Sequence, residues 1–279
     1  MKAQKQQRKE GPSKPVSAFL QGAATVCLAI TLTAIGLFAC AVPSLTTEAL
    51  SRACSDESNS PFTEDELVAA AVAARNYTVA DNDPEALFTV LGTINLQCIE
   101  DGRSGQGAPD LSSVPYADGR FDMQALQSAL SKASDRYTLD DEAISHLDDV
   151  CHVVKAAEAT LIAVAASAAV FVAAIGVKLG RAAVARVLRG AAWTVLAAFI
   201  ALTAWVAVDF NGFFTFFHSL FFAEGTWLFS YDSLLITMYP PEFWIGMGVV
   251  WLTSTVAGCI ICLIIGQLLK NNRAARRSA

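Results

Sequence analysis

The sequence predicts an all-α membrane protein, with four transmembrane helices and a mostly helical extracytoplasmic cap. Three observations carry that reading. Of 279 residues, 54% are hydrophobic and only 16% are charged, well below the roughly 25% usual in soluble domains. The charges also fall in blocks, leaving Pro15–Thr47, Ala159–Val177, Gly190–Val208 and Phe243–Leu269 without any. Each such stretch is long enough to cross a hydrocarbon core, which needs about 20 helical residues. Finally, the two signs of charge are segregated. A soluble enzyme is excluded.

The segregation sets the expected topology. Five basic residues lie at the amino terminus (Lys2, Lys5, Arg8, Lys9, Lys14), four between the second and third stretches (Lys178, Arg181, Arg186, Arg189) and four at the carboxyl terminus (Lys270, Arg273, Arg276, Arg277). The one acid among them is Glu10. Ser44–His152 is the reverse, with 20 Asp and Glu against six Lys and Arg, a net of −14 inside a chain of net −6. Basic loops stay cytoplasmic, so both termini and the short middle loop are expected inside, and the acidic segment outside.

Taken in order, the expected parts are a basic cytoplasmic tail (1–15), a first span (16–43), an acidic extracytoplasmic cap (44–152) and a second span (153–177). A basic cytoplasmic loop (178–189), a third span (190–209), an outer aromatic re-entrant or interfacial segment (210–242), a fourth span (243–269) and a basic tail (270–279) follow. The first stretch is longer than the 7–15 residues of a signal-peptide core. Its lipobox-like Leu37-Phe-Ala-Cys40 carries a bulky Phe38, so it reads as a retained span.

Within the cap, Thr63 and Glu66 have capping-box spacing before Leu67–Ala74. Asp83-Pro84 places an N-cap ahead of a proline at the first helical position. Gly102–Gly119 reads as a loop and Phe121–Ala133 as an amphipathic helix. A further helix is expected from Thr138, running on through Ile144 and Val150 into the second span. No basic stripe marks the cap, so nucleic acid is not an expected partner.

Of the seven cysteines, Cys27, Cys40, Cys259 and Cys262 fall in spans, where the Cys259-x-x-Cys262 pair reads as packing. Cys54, Cys98 and Cys151 fall outside, and one disulfide, with Cys54–Cys98 as first choice, is plausible in an oxidising compartment.

Groups able to do chemistry are few. All three histidines are expected outside. His146 lies in Glu142-Ala-Ile-Ser-His146-Leu-Asp-Asp149-Val, where helical spacing puts Glu142, His146 and Asp149 on one face. A continuous helix would hold His146 about 10 Å above Val153, at roughly 1.5 Å per residue. The same pattern also suits a solvated helix start. His218 lies among six phenylalanines in Phe213-Phe-Thr-Phe-Phe217-His218-Ser-Leu-Phe221-Phe222. Phe214, Phe217, Phe221 and Phe222 share its helical face or nearly so. Such rings can anchor a helix at the interface, but they would also desolvate the imidazole, keep it neutral near pH 7 and suit it to general-base chemistry on a lipid. Asp209, Trp227, Asp232, Pro240 and Glu242 complete the outer segment. His146 and His152, six apart, lie on different helix faces, so no metal site and no cofactor are expected.

Two motifs then resemble a known family. The first is Asp209-Phe-Asn-Gly-Phe-Phe-Thr-Phe-Phe217-His218-Ser-Leu-Phe221-Phe222, followed by Trp227, Asp232, Leu234-Leu235 and Pro240-Pro-Glu242-Phe243; the second is His146-Leu-Asp-Asp149-Val150. Together, and in the order of span, cap and three spans, they resemble the four-span bacterial integral membrane proteins that include the lipoprotein intramolecular transacylases (Lit). The resemblance implies a bacterial cell membrane and a diacylglyceryl lipoprotein or other membrane lipid as partner. It further implies transfer of the sn-2 acyl chain to the N-terminal cysteine amine, with catalytic histidines mapping to His146 and His218. Asp149, Glu142, Asp209, Phe214, Phe217, Phe221, Phe222, Trp227, Asp232 and Glu242 would support the site. A membrane lipid hydrolase, and a non-enzymatic protein with a partner-binding cap, are the alternative readings.

Overall fold

The structure, a computed structural model, describes residues 13–278, with side chains to residue 270. The outer parts of the two basic tails lie outside the described residues. The chain is built from α1 (Lys14–Ala41), α2 (Ser44–Cys54), a 3₁₀ turn (Glu57–Asn59), α3 (Glu64–Val79) and α4 (Pro84–Glu100). A hairpin of β1 (Tyr116–Ala117) and β2 (Arg120–Phe121) precedes α5 (Met123–Leu130), α6 (Asp141–Leu179), α7 (Arg181–Val208), α8 (Phe210–Ser219), α9 (Leu234–Met238) and α10 (Pro241–Ser278). Four helices, α1, α6, α7 and α10, are long and apolar enough to cross a membrane. The fold is that of an all-α membrane protein.

Two compact units can be distinguished. The first comprises Met1–Leu37, Ala159–Ala204 and Leu252–Ala279, as far as these are described. Its contacts use small side chains. Ala24, Ile175, Ala183 and Val187 are buried against one another, and a Cβ on Gly190 would meet Thr25 at 3.4 Å. Small residues let helices approach where lipid offers no hydrophobic drive to association. Thr25, Thr31 and Thr33 return their hydroxyls to the carbonyls of Gln21, Cys27 and Ala29, which satisfies them without water. Phe19, Val177 and Ile200 face outward. Residues 178–189, expected as a loop, are helical except at Gly180. That residue, at φ +80°, closes α6 with a bond from its N–H to the Ile175 carbonyl.

The second unit comprises Phe38–Glu158 and Trp205–Trp251. Its core is that of an ordinary globular domain, with Phe62, Leu67, Leu87, Leu91, Leu126, Leu130, Leu234 and Met238 fully buried. The capping box forms: Thr63 Oγ1 accepts from the Glu66 N–H, and Glu66 accepts from the Thr63 N–H at 2.8 Å. Glu66 also takes both arms of Arg103, at 2.7 and 2.8 Å. Asp83 caps α4 as expected. The helix expected from Thr138 begins at Asp141 instead. Thr138 is buried, and Asp140 caps α6 by accepting from the Ala143 N–H at 2.8 Å. From there α6 runs unbroken to Leu179. The stretch read as loop ends in a hairpin whose turn residues, Asp118 and Gly119, both have positive φ. That is the turn geometry Asp-Gly favours between two strands.

The outer segment 210–242 divides in two. Helix α8 exposes Phe216 and Phe217, whereas α9 lies in the core, with Leu234 and Met238 at 0% exposure. The Leu234 N–H bonds the Asp135 carbonyl and the Tyr239 hydroxyl the Ala71 carbonyl. The apolar residues of α9 thus have a protein core to enter. The disulfide expected between Cys54 and Cys98 is absent: both thiols are free, and Cys98 Sγ donates to the Pro61 carbonyl.

Candidate active site

His146 reaches the site through α6. Ala143, Leu147 and Cys151, at successive i, i+4 positions, are buried and lock the start of that helix into the unit. Its neighbour His146 is thereby held inward and only 9% exposed. It stands before the charge-free stretch that begins at Ala159, outside the membrane-spanning part of α6.

His218 reaches the site through α8, a separate short helix. Asp209 breaks the chain from α7 and caps α8, its carboxylate accepting from the Gly212 N–H at 2.8 Å. A Cβ at Gly212 would collide with that carboxylate, so glycine is what permits the tight cap. The break points the last turn of α8 so that His218 stacks near His146, with ring centroids 6.2 Å apart and planes 27° from parallel.

Aromatic rings line the pair, of which His146 is buried and His218 half-buried. His218 touches Phe214 at 4.0 Å, Trp227 at 4.8 Å, Phe217 at 5.6 Å and Phe222 at 5.8 Å between centroids. His146 touches Phe222 at 4.9 Å and Phe229 at 5.7 Å. Phe221 packs on Phe217 and Phe222 at the exposed edge.

The hydrogen bonds define what each imidazole can do. His218 Nδ1 lies 2.8 Å from the Phe214 carbonyl oxygen. A carbonyl only accepts, so Nδ1 is assigned the proton, and in the neutral ring Nε2 carries the lone pair. His146 Nδ1 is buried and has no hydrogen-bond partner, and the same holds for Trp227 Nε1. Burial pushes the His146 pKa down to about 4, helped by the neighbouring His218 and opposed by the charge of Asp149. Burial also lowers the His218 pKa, against the Phe214 carbonyl, which raises it. Both rings are therefore neutral at pH 7.

The expected carboxylates do not gather here. Asp149 is exposed and acts on His146 only through its charge. Glu142, on the first turn of α6, lines a different cavity with Phe88, Gln127 and Leu130. Asp232 pairs with Arg136 at 3.6 Å. Glu242 lies exposed beside Asp56, Tyr231 and Pro240, and Asp209 is spent as a cap. Their nearness in sequence to the histidines reflects helix starts and solvated turns. Phe229 is the ring that sequence reasoning missed, although it lies only two residues beyond Trp227. Among the described residues, no three His, Cys, Asp or Glu are grouped to hold a metal ion.

Known proteins can now be set beside this geometry. The family model described as "Lipoprotein intramolecular transacylase Lit" matches residues 117–244, a span that holds both histidines, Trp227 and Phe229. No curated protein matches the sequence. Among solved structures, Lit from Bacillus cereus, a membrane integral lipoprotein intramolecular transacylase determined in meso, superposes with a TM-score of 0.54. It is 14% identical and covers 94% of this chain and 100% of its own. Two variants of that protein, one histidine replaced by alanine or by arginine, give TM-scores of 0.58 and 0.55 at 15% and 16% identity. They cover 94% and 95% of this chain, and 96% of their own in both cases. At such identity the likeness speaks for the fold. The chain thus resembles the Lit family in sequence over residues 117–244 and in four-span fold over nearly its whole length.

Proposed function

We propose that this chain is a lipoprotein intramolecular transacylase, moving the sn-2 acyl chain of a diacylglyceryl lipoprotein onto the α-amine of its N-terminal cysteine. The observation that carries the reading is the ring-lined histidine pair, with a lone pair on His218 Nε2 and an unpartnered nitrogen on His146.

An α-amine, with a pKa near 8, attacks an ester only in its neutral form, and the attacking nitrogen then sheds a further proton. His218 Nε2 takes that proton while the N–C bond forms at the ester carbonyl. The tetrahedral adduct then collapses, the C–O bond to the glyceryl sn-2 oxygen breaks, and the His218 imidazolium returns the proton to that oxygen. His146, neutral because its pKa is pushed down to about 4, offers an N–H to the departing oxygen without carrying charge into the pocket. The net change is one amide gained, one ester lost and one hydroxyl freed.

The attack closes a ring of roughly eight atoms, N, Cα, Cβ, S, C, C, O and C, which a free lipopeptide rarely populates. A ring-lined enclosure that folds the substrate back on itself contributes through proximity. The basic blocks at residues 178–189 and at both termini support a cytoplasmic side for them and an external side for the histidines, where mature lipoproteins carry their amines.

The test is a synthetic diacylglyceryl-cysteinyl peptide incubated with the purified full chain in phospholipid vesicles and read by tandem mass spectrometry. Intramolecular transfer gives a product of unchanged mass, acylated on the cysteine nitrogen. Release of free fatty acid would make the protein a lipid hydrolase, and an unchanged peptide would make the fold a non-catalytic one; either overturns the reading.

A further inference from the structure

A buried indole N–H is a donor that cannot rotate away or accept, and buried donors are almost always paired. Trp227 is only 9% exposed and its Nε1 has no hydrogen-bond partner. Phenylalanine would fill a ring cluster without burying a donor, as Phe214, Phe217, Phe222 and Phe229 already do here. The indole plane lies 31° from that of His218, at 4.8 Å between centroids. The indole that carries this unpaired donor therefore packs against the ring whose lone pair accepts the attacking amine's proton.

We propose that Trp227 is a catalytic residue that donates its indole N–H to the carbonyl oxygen of the ester under attack, stabilising the oxyanion as the tetrahedral adduct forms. This rests on the transacylase reading. The adduct places negative charge on one oxygen, one bond away from the carbon that the amine reaches with the help of His218 Nε2. A fixed, desolvated donor at that point is worth more in the transition state than in the ground state, because charge accumulates there only during reaction. The pairing also divides the labour: His218 moves the proton, Trp227 holds the oxyanion, and neither carries net charge in the resting pocket.

The experiment compares the wild-type chain with Trp227→Phe and with a chain carrying β-(3-benzothienyl)alanine at position 227, which keeps the bicyclic shape but has sulfur in place of N–H. Each is assayed in vesicles on the diacylglyceryl-cysteinyl peptide for kcat, KM and pH profile. Loss of the donor is expected to lower kcat by roughly 10²–10³-fold in both. KM should stay within about threefold and the acid limb of the pH profile should not move, since that limb belongs to the histidines. A benzothienyl chain with wild-type kcat overturns the proposal, because a packing role would survive that replacement. A Trp227→Phe chain with wild-type kcat overturns it equally. A wild-type chain that transfers no acyl group instead overturns the reading beneath it, an outcome seen before either variant is assayed.

Discussion

The second unit holds two sets of buried polar groups that obey opposite rules. In the scaffold set, Glu66 is bonded by Arg103 and by the Thr63 N–H, the Thr78 hydroxyl returns to the Ala74 carbonyl, and the Thr237 hydroxyl returns to Ser233. In the ring cluster, His146 Nδ1 and Trp227 Nε1 have no partner, although both side chains are only 9% exposed. The other unpaired buried atoms of this unit are on Ser51, Ser55, Asn95 and Ser134, while these two flank the same imidazole. Groups satisfied by the protein hold its shape. In the proposed reaction, groups left unsatisfied beside a lone pair are available to the substrate, at a cost to stability.

That contrast can be broken by mutation. The largest effect is expected at His218→Ala, where losing general acid–base chemistry should lower product formation by about 10²–10⁴-fold. The thermal midpoint in detergent should change little, because His218 is half-buried and its protein hydrogen bond lies within its own helix. A large fall in that midpoint would return His218 to the scaffold set. Glu66→Ala is the mirror experiment. It removes half of a buried ion pair and a capping box, which costs about 2–3 kcal/mol, less than the roughly 3–5 for a fully enclosed pair because Arg103 stays partly solvated. Turnover per folded molecule should not change, and a turnover loss exceeding the loss of folded protein would place Glu66 in the site.

The pH dependence separates the two sets further. Because the folded pKa of His146 is about 4 and its unfolded value about 6.5, the unfolded chain binds more protons between those limits. Stability should therefore rise from pH 4 to pH 6.5, with a shallower slope in His146→Gln, where the lowered His218 still contributes. Titration of unfolding across this window, with and without the substitution, tests it. Turnover should follow a different course, with an acid limb below pH 6.5 from the histidines and a further rise toward pH 8 as the substrate amine deprotonates. The smallest effect is expected at Asp149→Asn. Removing its charge should lower the His146 pKa further and shift the acid limb of His146 titration by less than about one unit, with turnover at pH 7 within about twofold, because the carboxylate is exposed and screened.

Much of this arrangement is legible in the sequence where the governing physics is local. Charge-free length marks α1, α6, α7 and α10, and the Thr63–Glu66 and Asp83-Pro84 signatures mark the starts of α3 and α4 at the residues observed. The hairpin was equally local: Asp118-Gly119 is a strong turn pair, hidden inside a stretch read as loop for its Gly and Ser content. The start of α6 was ambiguous because Thr138 and Asp140 can both cap. The core takes Thr138, leaving Asp140 to the helix.

The site divides along the same line. Phe214 and Phe217 sit at helical spacing from His218 on α8, and Phe222 follows in the turn that closes it, so all three meet it locally. The meeting of His146 with His218, 72 residues apart in sequence, and the entry of Trp227 and Phe229 depend on how α6, α8 and the turn after it pack. Spacing does not encode that. The same dependence removes Asp209, Asp232 and Glu242, whose partners prove to be a helix start, Arg136 and solvent.

The most direct test of the account is the fate of a diacylglyceryl-cysteinyl peptide on the purified chain in vesicles, followed as isomerisation at constant mass. The account predicts that wild-type protein converts the N-terminal amine to an amide with one glyceryl hydroxyl freed, and that His218→Ala leaves the peptide unchanged. Equal conversion by wild-type and His218→Ala protein would contradict it.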